Sequence, residues 1–173
     1  MIQAWRQACG DTPDPSAVIV DSRSCQSAPS CFGRGFDGGK KIKGIKIHFA
    51  VDKYGFPLAI TVSPANVHDS KGIVPVLHQL AGFKGTALGD LSYRGQRLSK
   101  AGEALGITLQ PSAGGGTFIP EGIRVERSLA WVSRYRRLNT IFERGHLIAF
   151  IEIAFISILS RRLVRLVTQE ISA

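Results

Sequence analysis

The sequence predicts an α/β domain: a mixed sheet of three antiparallel strands followed by parallel strands, with helices on its faces. Three observations lead to this prediction. Val18-Ile19-Val20 is an apolar, β-branched run typical of a buried strand. Residues 40–62 form two stretches around a turn at 52–55, as in a hairpin. The later short strands are separated by helical segments, and such crossovers bring a strand parallel to a neighbour.

The first half of the chain supplies the antiparallel strands. The first strand is expected to end at Asp21, because residues 22–39 are rich in serine and glycine and therefore predict a loop. Residues 40–52 place their apolar side chains mainly on one face toward the end of the next strand. Residues 56–62 form the returning strand, where Pro57 is tolerated because it lies near the start.

The second half supplies the helices and the parallel strands. Asp69 is predicted to cap a helix over residues 70–80, in which apolar residues recur on one face. A short strand over residues 86–89 ends at Asp90. The remaining predicted elements are a helix at 96–105, a strand at 107–109, a glycine-rich loop at 111–120, a helix at 124–138 and a helix at 146–168.

The 173 residues are expected to form one folded domain over 17–168. Residues 1–16 hold prolines beside aspartates and are interpreted as a linker or a truncated start. The apolar run at 147–159 is interrupted by Glu152 and is too short for a bilayer span, so a buried helix is favoured over a membrane helix. The three cysteines match no zinc pattern, which favours free cytosolic thiols.

The net charge of +9 is unusual for a chain of this composition. It favours a nucleic acid or another polyanion as partner, with a merely solvated basic surface as the alternative. One basic cluster follows the first strand, where glycines allow close approach to a phosphate backbone, and another lies late in the helix at 124–138. The residues in these clusters are Arg34, Lys40, Lys41, Lys43, Lys46, Arg134, Arg136 and Arg137.

The helix predicted at 124–138 presents one arc that differs from its apolar arcs. At about 100° per residue, Glu126 and Arg137 fall on this arc with two small residues between them. Arg127 and Arg134 flank the arc, so an object that approaches it closely is expected to be negative.

Three acids lie at positions that suit metal chemistry. Asp21 and Asp90 follow strands that can be neighbours, so both carboxylates can project from one edge, and Glu126 lies on the helix that follows. Mg²⁺ prefers hard oxygen ligands, and two such ions about 4 Å apart assist displacement at phosphorus. Each acid alone also fits a turn, a cap or a salt bridge. Glu143 is the alternative for the third carboxylate.

Six short segments follow one another along nearly the whole chain. They are 18–22 (VIVDS), 33–44 (GRGFDGGKKIKG), 52–58 (DKYGFPL), 64–69 (PANVHD), 89–95 (GDLSYRG) and 125–131 (VERSLAW). Together they resemble the catalytic region of bacterial insertion-sequence transposases of the IS5 group, within the wider IS4-like DDE family. Because the six occur in order, the resemblance is specific.

The resemblance implies an RNase H-like fold in which Asp21, Asp90 and Glu126 form the DDE triad and bind two Mg²⁺ (or Mn²⁺) ions. It implies that water cuts the transposon end and that the freed 3′-hydroxyl attacks target DNA, without a covalent protein intermediate. Arg94 and Arg127, with Tyr93, become expected phosphate neighbours. The implied partners are DNA at transposon ends and target, further copies of the chain on DNA, and an upstream reading-frame product, in the bacterial cytoplasm.

The sequence also departs from the family. Relatives carry an additional N-terminal helical region, so the chain is expected to be a downstream frame, a truncated copy or half of a frameshifted product. The Tyr-x2-Arg-x3-Glu-x6-Lys signature is not met, since Ile119, Gly122 and Ser133 stand at its other positions. Two alternatives therefore stay open: a non-catalytic DNA-binding remnant of a transposase, and an RNase H-like nuclease that cleaves without joining.

Overall fold

The computed structural model describes residues 1–111 and 125–171, with the side chains of 125–127 and 170–171 outside that description. It begins with helix α1 (Ile2–Ala8), where the sequence indicates a linker. Arg6 on α1 is buried and its Nη1 lies 3.4 Å from Asp52 Oδ2, which ties the helix to the sheet. Residues 11–16 are irregular, as their prolines predict.

Four strands follow: β1 (Ala17–Ser27), β2 (Gly35–Asp37), β3 (Ile42–Val51) and β4 (Pro57–Pro64). The turn predicted between β3 and β4 is present, and Gly55 has a positive φ of 83° there. The prediction that the first strand ends at Asp21 is wrong. β1 continues to Ser27, because its backbone pairs with β3 from Ile19 to Gln26 and the hydroxyls of Ser22 and Ser24 donate to carboxylates.

The next elements alternate: α2 (Asp69–Gly72), α3 (Val74–Gln79), β5 (Gly85–Gly89), α4 (Gln96–Glu103) and β6 (Ile107–Pro111). A 3-10 turn at Leu91–Tyr93 joins β5 to α4. The helix predicted over 70–80 is two helices, because Pro75 has no N–H to donate to a carbonyl four residues earlier. His68, not Asp69, is the N-cap, and its side chain accepts from Ser70 N.

The C-terminal part contains α5 (Val125–Ser133), α6 (Arg136–Asn139), β7 (Thr140–Ile141) and α7 (Leu147–Ile171). The single helix predicted at 124–138 is wrong at its C-terminal end. Tyr135 is extended, and the Asn139 side-chain amide donates to Ser133 O at 2.7 Å, which satisfies a terminal carbonyl of α5. The glycine-rich loop predicted at 111–120 lies outside the described residues apart from Pro111.

The sheet has the predicted strand directions. β3 lies antiparallel to β1 on one side and to β4 on the other, while β5 runs parallel to β1 and β6 parallel to β5. β2 extends the antiparallel side and β7 pairs with the end of β1. The fold class is therefore confirmed: an RNase H-like mixed sheet, three antiparallel strands and then parallel strands, flanked by helices.

Two cores form on the two faces of this sheet, because side chains on a strand alternate between faces. On one face Ile19, Phe49 and Val51 pack with Trp131 of α5 and Ile151 of α7. On the other, Val18, Val20 and Ala50 pack with Ile73 between α2 and α3, with Leu77 of α3 and with Leu98 of α4. In the described ranges no helix combines the length and apolar character that crossing a bilayer needs.

Candidate functional site

Asp21 lies on β1, and Asp90 directly follows β5, the parallel neighbour of β1. In the parallel ladder Ile19 pairs with Leu88, and continuing that register by two residues sets Asp21 opposite Asp90. The backbone of Asp90 is still extended there, with ψ of −177°. Because side chains alternate, Asp21 faces the same side of the sheet as Ile19 and Arg23, the side that α5 and α7 cover.

The electrostatics of Asp21 favour a bound cation. Burial raises the pKa of Asp21 to about 6, a hydrogen bond from Ser22 N (2.7 Å) opposes the rise, and the Asp90 carboxylate adds to it. Lys40 also lowers this pKa and Asp69 raises it, so both charges lie near the carboxylate. A half-buried carboxylate beside a second one gains stability in its charged form when a cation arrives.

Asp90 is exposed and its position is set by the turn that follows it. Its Oδ1 accepts from Ser92 N at 2.8 Å and from Ser92 Oγ, which caps the 3-10 turn. The glycine before it is required: a Cβ on Gly89 would lie 2.6 Å from Tyr93 Cδ2 and 2.9 Å from Val20 Cγ2. This close approach lets the ring of Tyr93 fold back beneath the acid.

Tyr93 is 3% exposed, so it lies beneath the acids and not beside an approaching phosphate. Burial raises the pKa of Tyr93 well above its usual value, and the carboxylates of Asp21, Asp69 and Asp90 act in the same direction. Its hydroxyl oxygen is buried without a hydrogen-bond partner in the part of the chain that the structure describes. Tyr93 therefore stays a neutral phenol that fills space under the site.

The backbone of Glu126 lies in α5, but its side chain falls outside the described residues. α5 is held over the face of β1 that carries Asp21. The guanidinium of Arg23 donates to Leu129 O at 2.8 Å, and Ser128 Oγ donates to Gly55 O at 2.8 Å. These two bonds join α5 to β1 and to the turn between β3 and β4.

A polar network next to Asp21 is a feature that the sequence does not predict. Ser22 Oγ donates to Asp69 Oδ1 at 2.7 Å, and Lys46 Nζ lies 3.0 Å from the same oxygen and 3.6 Å from Asp37 Oδ2. Ser24 Oγ donates to Asp37 at 2.6 Å. Lys46 is thus buried and paired, and the prediction that it contacts phosphate is wrong. The alternation of Ser22 and Ser24 along an extended β1 is the signal that indicates the network.

The two carboxylates in this network are ionised. Burial alone would raise the pKa of Asp69, but hydrogen bonds from Ser22 and Lys46 hold it below its usual value. The hydrogen bond from Ser24 lowers the pKa of Asp37 to about 2, with help from Lys40 N. The network therefore places fixed charges behind Asp21.

His48 shares the buried side of the network and has a structural role, as expected from its isolation in the sequence. Burial lowers its pKa to about 4, while the Asp69 carboxylate opposes the shift. Its Nε2 lies 2.9 Å from Ser63 Oγ. It packs so closely on α2 that a Cβ on Gly72 would lie 2.1 Å from the ring.

The donor set at Asp21 and Asp90 suits a magnesium-type cation. Both residues offer hard carboxylate oxygens, and Asp21 is partly desolvated. A bound metal ion would add its positive charge to that of Lys40 near this carboxylate. Among the described side chains, which leave out Glu126, no three histidine, cysteine or acidic residues are grouped so that they could hold a metal. A complete site needs a further ligand, and Glu126 on α5 is the predicted one.

The basic residues predicted to contact DNA are spread over several elements. Lys40, Lys41 and Lys43 are exposed around the start of β3, and Lys40 lies near enough to Asp21 to lower its pKa. Arg34 is half-buried and donates to Ala28 O at 3.4 Å. Arg94 is exposed directly after the turn that Asp90 caps.

The remaining three predicted contacts belong to the C-terminal helices. Arg127 has its backbone in α5 and a side chain that is not described. Arg134 follows α5 and lines a cleft against α7. Arg137 lies 3.8 Å from Glu143 and stacks on Phe150 at 5.9 Å. Arg137 is therefore engaged with its own chain.

Glu143, the alternative third carboxylate, lies far along β1 from Asp21. It comes two residues after β7, which pairs in parallel with Gln26 and Ser27. Gln26 is five residues beyond Asp21, or about 16 Å along a strand. The carboxylate of Glu143 is exposed and forms an ion pair with Arg137. Glu143 therefore does not join the acids at Asp21.

Comparison with known proteins gives one family match. The model of the family described as "Transposase DDE domain" matches residues 12–110, a span that contains Asp21 and Asp90 and ends before Glu126. No curated protein matches the sequence.

Several solved structures are similar to the chain. The catalytic core domain of BIV integrase is 13% identical, with 82% of each chain covered and a TM-score of 0.47. A chain of the simian T-cell lymphotropic virus intasome in complex with the PP2A regulatory subunit B56 gamma is 15% identical, over 70% of this chain and 40% of that one, with a TM-score of 0.49. A chain of the piggyBac transposase synaptic complex with hairpin DNA is 16% identical, over 62% and 25%, with a TM-score of 0.44.

The family match covers more than half of the sequence and agrees with the resemblance carried by the six segments. The protein therefore belongs to the transposase DDE domain family.

Proposed function

We propose that the protein is a transposase that cleaves DNA at insertion-sequence ends and transfers the cut strand into target DNA. Asp21, Asp90 and Glu126 are the proposed catalytic and metal-binding residues. The observation that supports this most is that β1, which carries Asp21, pairs in parallel with β5, which Asp90 directly follows, in a chain of the transposase DDE domain family. The presence of α5 over the same face of β1 supports Glu126 as the third acid.

The proposed reaction has two displacements at phosphorus. Water first attacks the phosphodiester at the transposon end, forming a new P–O bond and releasing a 3′-hydroxyl. That hydroxyl then attacks a target phosphodiester and displaces the target's 3′-oxygen. Two Mg²⁺ or Mn²⁺ ions, when bound, supply charge stabilisation for the attacking and leaving oxygens.

The chain's own residues supply the positions for this reaction. Asp21 and Asp90 would hold the cations at one edge of the sheet, and the capping bonds of Ser92 keep Asp90 in place. Ser22 donates through its backbone to Asp21 and through its hydroxyl to Asp69, which fixes the strand behind the acid. Lys40, whose charge lowers the pKa of Asp21, and Arg94, which follows the turn that Asp90 caps, are the residues proposed to orient backbone phosphates. Such contacts position DNA without reading its sequence.

The partners follow from this function. We expect the chain to bind both the insertion-sequence ends and target DNA, to act as a homo-oligomer on DNA and to operate in the nucleoid of a bacterial cytoplasm. We propose an upstream reading-frame product as a further partner. The net charge of +9 supports a polyanionic substrate.

The decisive experiment is a cleavage and strand-transfer assay with Mg²⁺ and a duplex that carries the ends of the element that encodes the chain and is labelled at the 5′ end of the transferred strand. We expect the wild type to give both cleaved and joined products. Asp90→Asn should reduce both by at least about 10³-fold, because a ligand essential to the transition state is lost, while DNA binding is kept. Asp14→Asn makes the same chemical change at an exposed residue of the N-terminal segment and should leave both reactions intact.

Each of the other outcomes would contradict part of the proposal in a different way. Cleavage without joining would contradict strand transfer and indicate a nuclease. Binding with neither product would indicate a non-catalytic remnant. Full activity in Asp90→Asn would show that the assigned acids are wrong.

A further inference from the structure

Helix α7 is apolar on two opposite faces. Its inner face packs Ile151, Phe155 and Leu159 into the core against the sheet. Its outer face carries four further β-branched residues that are between 52% and 64% exposed. These residues are Ile153, Ile156, Val164 and Val167. A surface helix normally places polar residues opposite its buried face, so the outer face of α7 points to a contact with another molecule.

The four exposed residues are aligned along the helix. At about 100° per residue, all of them lie within about 40° of the direction of Ser160, which stands at their centre. Glu152 and Arg161 lie outside this arc, about 80–100° from that direction. Single exposed apolar side chains are common on protein surfaces, but an aligned row marks an interaction site. We call Ile153, Ile156, Ser160, Val164 and Val167 the α7 stripe.

The α7 stripe has the same spacing in both directions from Ser160. Ile156 and Val164 each stand four residues from it, and Ile153 and Val167 each stand seven residues from it. A twofold-symmetric interface joins the same patch of two copies, so that residue i meets residue j and j meets i. Two antiparallel stripes that cross at Ser160 would therefore match along their whole length. A partner of unrelated sequence would require no such symmetry.

The two stripes would also interdigitate. In the antiparallel arrangement Ile153 faces Val167 of the other copy, and Ile156 faces Val164. The two members of each pair lie on opposite sides of the direction of Ser160, by about 20° in the first pair and about 40° in the second. Each side chain can therefore enter a groove beside the one it faces. The small Ser160 at the crossing point lets the two helix backbones approach.

The apolar surface extends beyond the stripe on one side. Ile156 lines a mainly apolar groove of about 440 Å³ between α1 and α7, together with Met1, Phe56 and Phe155. Met1 is itself 54% exposed. The surface available to a second copy is therefore larger than a single pair of helices.

We propose that the α7 stripe is the interface of a symmetric, antiparallel homodimer that forms without DNA. The proposed function expects further copies of the chain on DNA, and the stripe names a surface that joins two of them beforehand. The net charge of +9 on each copy opposes association, but salt screens this repulsion and the stripe itself is uncharged. The stripe spans about 21 Å, which is short for a stable interface, so we expect a Kd of about 1–100 µM.

The first test measures the molar mass of the full chain without DNA, by sedimentation equilibrium at about 0.3 M salt. The wild type should rise with concentration from 18.7 kDa toward twice that mass. Ile156→Lys and Val164→Glu should each weaken the dimer at least about tenfold, because each buries an unpaired charge. The double variant sets a lysine opposite a glutamate in both pairs and should restore the dimer. Within one copy the two positions are about 12 Å apart along the helix, so the rescue requires two copies.

The second test fixes the register of the two helices. In a chain with Cys9→Ser, Ser160→Cys should form an intermolecular disulfide on mild oxidation, because the two copies of position 160 meet at the twofold axis. The other cysteines, Cys25 and Cys31, are buried. Ile153→Cys is the matched control: its two copies lie about 21 Å apart in the antiparallel register and should not cross-link. A mixture of Ile153→Cys and Val167→Cys chains should cross-link.

Several outcomes would overturn the proposal. A wild type that keeps the monomer mass up to about 300 µM would exclude the dimer. Self-linking by Ile153→Cys would exclude the antiparallel register, and a double charge variant that stays monomeric would exclude the pairing of the two stripes. Because cross-linking is a gain, a variant that fails to fold cannot imitate it.

The outcome is separable from that of the proposed function. Cleavage and joining by a wild type that remains a monomer without DNA would support the function and overturn the dimer. A dimer that neither cleaves nor joins DNA would do the reverse.

Discussion

Lys46 is a buried cation that two carboxylates near the candidate site share. Its Nζ lies 3.0 Å from Asp69 Oδ1 and 3.6 Å from Asp37 Oδ2, and it donates to Val67 O at 3.0 Å. Its side chain is only 8% exposed. Removing one partner from a buried charge cluster leaves the others uncompensated, which costs more than the ion pairs themselves contribute.

We expect Lys46→Met to lower the free energy of unfolding by about 3 kcal/mol, because two carboxylates lose their shared cation. Lys53→Met is the matched control. Lys53 also pairs with an aspartate, Asp11, at 2.6 Å, but its side chain is 45% exposed, so the loss should stay below about 1 kcal/mol. Urea unfolding of the two variants measures the difference, and equal losses would contradict a buried network behind Asp21.

At the scale of the element, the position of α5 depends on the turn between β3 and β4. Gly55 in that turn has φ of 83°, and a Cβ there would lie 2.5 Å from Ser128 Oγ and 3.4 Å from the Trp131 ring. The helix that carries Glu126 thus rests directly on a glycine. Any side chain at Gly55 pushes α5 away from the sheet.

We expect Gly55→Ala to destabilise the protein more than Gly82→Ala. Gly82 has a similar φ of 93° but nothing within 4 Å of the added Cβ. Gly82→Ala should therefore lower the free energy of unfolding only by the cost of a left-handed backbone at alanine, about 1–2 kcal/mol. Gly55→Ala should cost about 1–3 kcal/mol more through crowding against α5. Denaturant unfolding measures the free energy of unfolding of both variants. Equal losses would show that α5 does not pack on the turn.

At the scale of the whole molecule, one sheet is shared by two cores. Val18 and Val20 of β1 enter one core, while Ile19 between them enters the other. Both tryptophans, Trp5 and Trp131, belong to the face covered by α7. Because both cores are built on the same strands, we expect them to unfold together.

We expect Leu77→Ala, in the core without tryptophan, to lower the free energy of unfolding by about 2–5 kcal/mol. Tryptophan fluorescence and far-UV circular dichroism should report the same shifted midpoint, since small domains unfold as one unit. A fluorescence midpoint that stays at the wild-type value would instead indicate two independent cores.

The local pattern of the chain predicts much of the architecture and part of the site. Alternation in residues 40–62 predicts the hairpin of β3 and β4, and short apolar runs predict β5 and β6. The pattern of polar and apolar residues mispredicts secondary structure where polar side chains lie inside the fold. Ser22 and Ser24 look like loop residues, yet they continue β1 because Asp69 and Asp37 accept their hydroxyls.

The amino-acid sequence by itself determined the strand directions and the family, and it predicts the pair of aspartates, because each depends on short segments whose order along the chain is preserved. Only the tertiary structure decided that β1 runs on past Asp21, that Lys46 is a buried counter-ion, and that arginines of α7 line a cleft beside the end of α5. The physical reason is that each of these features arises from contacts between segments distant in the chain, whose burial and charge no local pattern encodes.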